Sequence, residues 1–98
     1  MLNSRQRAQL RALANGIETI VYVGKEDVTD NVITQMRDAL KARELVKGAV
    51  QRGSMLTARE ACEKLAEACG ADPVQVIGSR FVLYKHNGQK RDAIRLVK

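Results

Sequence analysis

From Thr57 to Gly70 the chain is written for one kind of structure. Ala58, Ala61, Cys62, Leu65, Ala66 and Cys69 recur at the spacing of one helical face, and Arg59, Glu60, Glu63, Lys64 and Glu67 fall on another. Thr57 and Glu60 have the form of a capping box, and Gly70 followed by Pro73 supplies the stop. A helix with one apolar face needs a surface to cover. The flanks offer one: Glu44 to Val50 (ELVKGAV) reads as a strand, joined to the helix by the loop RGSM. Beyond the helix, PVQVIG and RFVLYK read as two short strands broken by Gly78-Ser79, which predicts a tight hairpin.

The N-terminal half repeats this alternation. Asn3 with Gln6 imitates a capping box, Leu10 and Leu13 share a side, and Asn15-Gly16 ends a first helix. Arg7 and Arg11, four apart, align on one face, away from the side that Leu10 and Leu13 would bury. Ile17 to Val23 (IETIVYV) is rich in β-branched residues and ends at Gly24, the pattern of a mostly buried strand followed by a turn. Val28, Val32, Ile33, Met36 and Leu40 then return to helical spacing, with Thr29 as N-cap and Val28 and Ile33 as the hydrophobic staple across it. The order αβαβαββ predicts one α/β (α+β) domain with a mixed four-stranded sheet and three helices packed on it. The last stretch, HNGQKRDAIRLVK, is basic with a weak alternation at Ile94 and Leu96, and reads as an edge strand or a loose tail.

Ninety-eight residues leave no room for a second domain, yet suffice to bury a modest core without disulfides or a structural metal. No segment approaches the roughly 18 consecutive apolar residues of a membrane span. The N-terminus, MLNSRQRAQL, puts charge where a signal peptide would be apolar, so a cytoplasmic location is expected, with Cys62 and Cys69 reduced. A catalytic site is hard to assemble. His86 is the only histidine and lies beside Asn87-Gly88 in an expected turn, where exposure is the default. Cys62 and Cys69 stand about 10 Å apart along their helix, too far for a disulfide and without further ligands at metal spacing. The sequence contains no GxxxxGK[ST], GxSxG or GxGxxG motif, and its carboxylates are scattered over expected solvent faces. No enzyme, cofactor, metal site or small-molecule substrate is expected.

Charge points elsewhere. The chain carries +6 overall, with +3 in residues 1–14, +5 in residues 80–98 and −2 between them. Such basic ends suit a phosphate backbone, although they also suit a soluble domain with cationic termini. Tyr22, Phe81 and Tyr84 are the only aromatic residues, poor material for the base-stacking platform of an RRM or OB fold. The turn Gly24-Lys25-Glu26-Asp27 leads into the helix that starts near Thr29, whose free N–H groups and dipole favour an anion. Glu26, Asp27 and Asp30 crowd the same place with negative charge, so a helix capped by its own acids explains the turn equally well.

These features together resemble a known family, the YhbY-type proteins built from a single CRM (chloroplast RNA splicing and ribosome maturation) domain. The resemblance lies in SRQRAQLRALANGI, IVYVGKEDVTDNVI, ARELVKG and VQVIGSRFVLYK, in order and across nearly the whole chain. It implies a fold like the C-terminal domain of translation initiation factor three. It also implies a non-catalytic protein that binds ribosomal RNA in precursors of the large subunit and assists ribosome assembly. The family's RNA-contacting loop is a GxxG turn similar to that of KH domains, which clamps nucleotide backbone. Its first glycine corresponds to Gly24 and the following lysine to Lys25, but the second glycine position holds Asp27, whose Cβ and charge oppose a phosphate. Either Asp27 serves as a local cap and binding shifts toward the first helix and nearby strands, or the loop works through Lys25 and backbone N–H groups. The expected RNA surface comprises Arg5, Arg7, Arg11, Gly24, Lys25, Thr29, Lys47, Arg52, Arg80 and Lys85. The alternative function is a protein-binding adaptor whose basic surface holds an acidic partner.

Overall fold

Two strands separated by a helix in sequence pair in parallel, and this pairing sets the rest. In the computed structural model, which describes residues 2–88 and 93–97, β1 (Thr19–Val23) runs parallel to β2 (Leu45–Val50), with α2 (Asp30–Arg43) between them. After α3 (Ala58–Cys69), β3 (Asp72–Ile77) and β4 (Arg80–Tyr84) form the expected hairpin, and β4 pairs antiparallel with β2. The mixed sheet has the order β1-β2-β4-β3. Its hairpin turns at Gly78, where φ is +58°, a backbone shape that glycine adopts at no steric cost.

The sheet is covered on both faces. Val21, Val23, Val46, Phe81 and Leu83 meet Met36 and Leu40 of α2 and the apolar stripe of α3 on one face. On the other, Leu45, Val74, Val82 and Tyr84 meet Leu2 together with Leu10 and Ala14 of α1 (Ser4–Ala14). Gly48 sits directly under the Phe81 ring. A Cβ there would come within 2.5 Å of a buried ring carbon, so the contact requires that β2 carry no side chain at this point. The helix starts are those expected: Asn3 with Gln6 and Thr57 with Glu60 form reciprocal capping boxes, and Thr29 Oγ1 accepts from Val32 N. Cys62 and Cys69 are free and buried, and burial, reinforced by Glu63, pushes the Cys62 thiol up to about 11.

Three expectations are corrected. The first strand is not mostly buried: β1 is an edge strand, with Ile20 37% and Tyr22 50% exposed on the face α1 leaves open. The buried stripe of α1 is Leu10 and Ala14, not Leu10 and Leu13; Leu13 is 45% exposed, and Arg7, one turn before Leu10, is half-buried. Glu44 does not begin β2. It caps α2 with φ of +64°, and its side chain is the one buried carboxylate among the described residues.

The reason lies in the segment after β4. Glu44 Oε2 accepts from Asn87 N at 2.8 Å and Oε1 from Ile94 N at 2.7 Å, while His86 Nδ1 lies 3.2 Å from Oε2. Charge-assisted bonds to backbone N–H groups offset both the burial and the positive φ. They also hold the residues beyond β4 in place. Residues 93–97 are in neither helix nor strand; Ile94 and Leu96 pack on the α1 side of the sheet. Gln9 donates to Arg95 O at 2.7 Å and accepts from Val97 N at 2.8 Å. Lys90, Arg91 and Lys98, which contribute to the basic C-terminal end, lie outside the described residues. Replacing Glu44 by Ala orphans two backbone N–H groups, at about 1–3 kcal/mol each. The expected loss is therefore about 2–6 kcal/mol by urea denaturation, and a stability within about 0.5 kcal/mol of the parent's would show that the carboxylate holds nothing.

Candidate nucleic-acid interface

Because β1 and β2 are parallel, the turn after β1 and the loop after β2 leave the same end of the sheet, and α2 and α3 both start there. The β3–β4 turn joins them, with Val50 N donating to Ser79 O at 2.8 Å and Gln51 N to Val23 O at 2.8 Å. The two loops touch. A Cβ on Gly24 would meet Gln51 Oε1 at 3.2 Å, and a Cβ on Gly53, whose φ is +93°, would meet Lys25 Cε at 3.3 Å. The stem of Lys25 thus runs over Gly53, with its ammonium on an exposed side chain beside the exposed Arg52. Gly24, Lys25, Thr29, Arg52 and Arg80 are brought to this one end. Thr29 already has a structural task there as N-cap of α2.

Asp27 takes a left-handed backbone conformation of the kind that favours glycine, with φ of +74°. Aspartate is among the few other residues that tolerate this region. Its Oδ1 accepts from Val28 N, and its Oδ2 lies 3.2 Å from Lys64 Nζ on α3. The Val28 N–H first, and Lys64 second, hold its carboxyl below the usual aspartate range. At neutral pH the acid is therefore ionised, and its charge is matched by a cation 37 residues away. No sequence pattern announced Lys64 as this partner.

The open part of the sheet adjoins the loops. Tyr22 on β1 stands opposite Ala49 on β2, and Ala49 opposite Arg80 on β4. Lys47 lies two residues back along β2, on the same face by strand alternation. Together with Ile17, Glu18, Thr19 and Ser79 these residues line a shallow concavity of about 450 Å³. Tyr22 is the residue sequence reading passed over. IVYV is apolar throughout and offers no polar alternation to follow; in the fold Val21 and Val23 point inward, which turns Tyr22 outward.

The arginines of α1 are arranged by the helical repeat. Gln9 faces the segment 93–97, which packs near Leu45 and Tyr84, the end of the sheet away from the loops. By the helical repeat Arg7 and Arg11 lie on the flank of α1 opposite Gln9. Arg5 lies on the outer side of α1, away from Leu10, and Lys85 lies at the far end, donating from Nζ to Cys69 O at 2.8 Å as a C-terminal cap of α3. Among the described residues Lys64 pairs with Asp27 and His86 Nδ1 lies against Glu44 Oε2, and none of Arg7, Arg11, Lys25, Lys47, Arg52 and Arg80 is paired with a carboxylate there. No cluster of three or more His, Cys, Asp or Glu among those residues could hold a metal ion.

The chain is 36% identical over 91 residues to the "Probable RNA-binding protein YqeI" of Bacillus subtilis, an alignment spanning 93% of this chain and 95% of that one. It is 29% identical over 84 residues to an RNA-binding protein of Haemophilus influenzae, spanning 86% and 85%. The solution structure of the hypothetical protein SAV1595 from Staphylococcus aureus matches with a TM-score of 0.82 at 37% identity, covering 99% of this chain and 100% of that one. The family model of the CRS1/YhbY (CRM) domain matches residues 2–85, from the cap of α1 through the end of β4, and the chain belongs to that family.

Proposed function

We propose that this protein is a non-catalytic RNA-binding module that contacts ribosomal RNA in precursors of the large subunit and assists their assembly. The observation that carries the reading is electrostatic. Among the described residues no carboxylate pairs with Lys47 and Arg80 on the open sheet face, Lys25 and Arg52 at the loop end, or Arg7 and Arg11 on α1, while Asp27 is matched by Lys64. Such a surface is matched to a phosphate backbone and gains affinity by releasing its counterions. Relatives named as RNA-binding proteins favour RNA as the anion, and the ribosomal target rests on the resemblance to the YhbY-type proteins.

Lys25 and Arg52 meet phosphates at the loop end, where the N–H groups that open α2 add their dipole. The loop does not depend on a second glycine, because Asp27 reproduces the glycine backbone and neutralises its own charge with Lys64. Arg7 and Arg11 set the strand's path across the sheet. Lys85 and Arg5 lie apart from this track.

Removing Arg7 and Arg11 together with alanine should weaken binding to structured RNA about equally for all sequences. It should also flatten the plot of log affinity against log salt by about 1.4–1.8, two phosphate contacts at about 0.7–0.9 each. Affinity of the parent that does not change with salt would exclude the mechanism. Asp27→Gly keeps the positive φ, removes the carboxylate and frees Lys64, so RNA should bind several-fold more tightly at low salt; weaker binding would show that the carboxylate itself supports the interface. Crosslinking in cells, followed by sequencing of attached RNA, should recover large-subunit precursor RNA. Recovery of protein partners that persist after nuclease treatment, without such RNA, would favour an adaptor for an acidic protein instead.

A further inference from the structure

We propose that Tyr22, Ala49 and Arg80 form a seat for a single unpaired nucleobase, which makes single-stranded RNA the preferred ligand of the open sheet face. This rests on the RNA-binding reading and goes further, since phosphate contacts alone do not distinguish paired from unpaired strands. Of the three aromatic residues Phe81 and Tyr84 are buried, and Tyr22 alone is exposed, at 50%. An exposed tyrosine on an edge strand contributes nothing to the core, and its hydroxyl makes only a long bond of 3.4 Å to Thr19 O.

The register shapes what can lie beside it. Tyr22, Ala49 and Arg80 are consecutive neighbours across β1, β2 and β4 on one face. Strands lie about 4.8 Å apart, so the tyrosine and the arginine leave the sheet about 10 Å apart. Ala49 between them is a floor with a single methyl group. A planar ring between two others needs about 3.4 Å on each side, roughly 7 Å in all, which that spacing accommodates. A base would therefore stack between the phenol ring and the guanidinium plane, the two kinds of surface on which unpaired bases rest.

Charge selects the occupant. Arg80 and Lys47 flank the seat and have no carboxylate partner among the described residues, so the phosphates on either side of the base find cations, and the seat continues into the loop end at Ser79. Glu18 lies at the opposite end of the concavity. A duplex keeps its bases stacked inside and cannot fill the seat.

The test uses the full chain and a short unstructured oligoribonucleotide carrying 2-aminopurine, with the duplex of the same sequence as control. The parent should quench 2-aminopurine fluorescence. Tyr22→Ala should abolish the quenching and lose about tenfold in affinity for the single strand, with the duplex affinity and the salt slope unchanged. Tyr22→Phe should retain both properties, and Arg80→Lys should keep the salt slope while weakening the quenching. A Tyr22→Ala protein that binds and quenches the single strand as the parent does would overturn the seat and leave RNA binding standing. A parent that binds neither single strand nor duplex would overturn the RNA-binding reading and the seat with it.

Discussion

The parallel pairing of β1 and β2 is the constraint on which the remaining structure depends. It forces a crossover through α2, brings two strand ends to one side, and opens two helix N-termini there. Had the strands been antiparallel, the Gly24 turn and the Gly53 loop would lie at opposite ends and Lys25 could not rest on Gly53. The β3–β4 hairpin then enters with β4 against β2, which carries Arg80 to the same end and leaves β1 as an edge. The edge position exposes Tyr22 and Ile20, and α1 is too short to cover them after spanning β2, β4 and β3.

Acids and cations are treated differently by this architecture. Among the described residues Asp27 is tied to Lys64 and to the first N–H beyond its turn, and Glu44 is enclosed by backbone N–H groups from a distant segment. Both sit at positive φ, where glycine is the usual choice. In each case the carboxylate accepts from a backbone N–H, and the strained backbone is held by the bonds it makes. The cations of the open face have no such duties. Lys85 is the instructive exception, because its ammonium serves the carbonyl of Cys69, the last residue of α3.

Much of this is legible in the sequence. Caps at Asn3, Thr29 and Thr57, the stop at Gly70 and the turn at Gly78 are local, and each is set by hydrogen bonds within a few residues, so pattern alone locates them. The stripe of α3 is equally readable because six small apolar residues leave one choice of face. Distance hides the rest. The partnership of Asp27 with Lys64 spans 37 residues, and Glu44 reads as the first residue of a strand until Asn87 and Ile94 are seen to enclose it. The face of β1 is hard to read because four apolar residues in a row carry no strong alternation, and only the edge position decides which of them meet solvent. Among the RNA-binding candidates, Gly24, Lys25, Arg52 and Arg80 converge, whereas Lys85 stands alone at the other end; no spacing in the sequence separates these cases.

The enclosure of Glu44 has a consequence for how the chain comes into being. A carboxylate at the junction of α2 and β2 emerges from the synthesising machinery 50 residues before Ile94, the last group that satisfies it. Without those groups the carboxylate would be buried with its acceptors unsatisfied, which is costly. The family-defining stretch ends at residue 85, so the residues that complete the enclosure lie outside it. The junction of α2 and β2 is thereby completed by groups 43 and 50 residues further along the chain, so the C-terminal segment is part of what closes the sheet's helical connection.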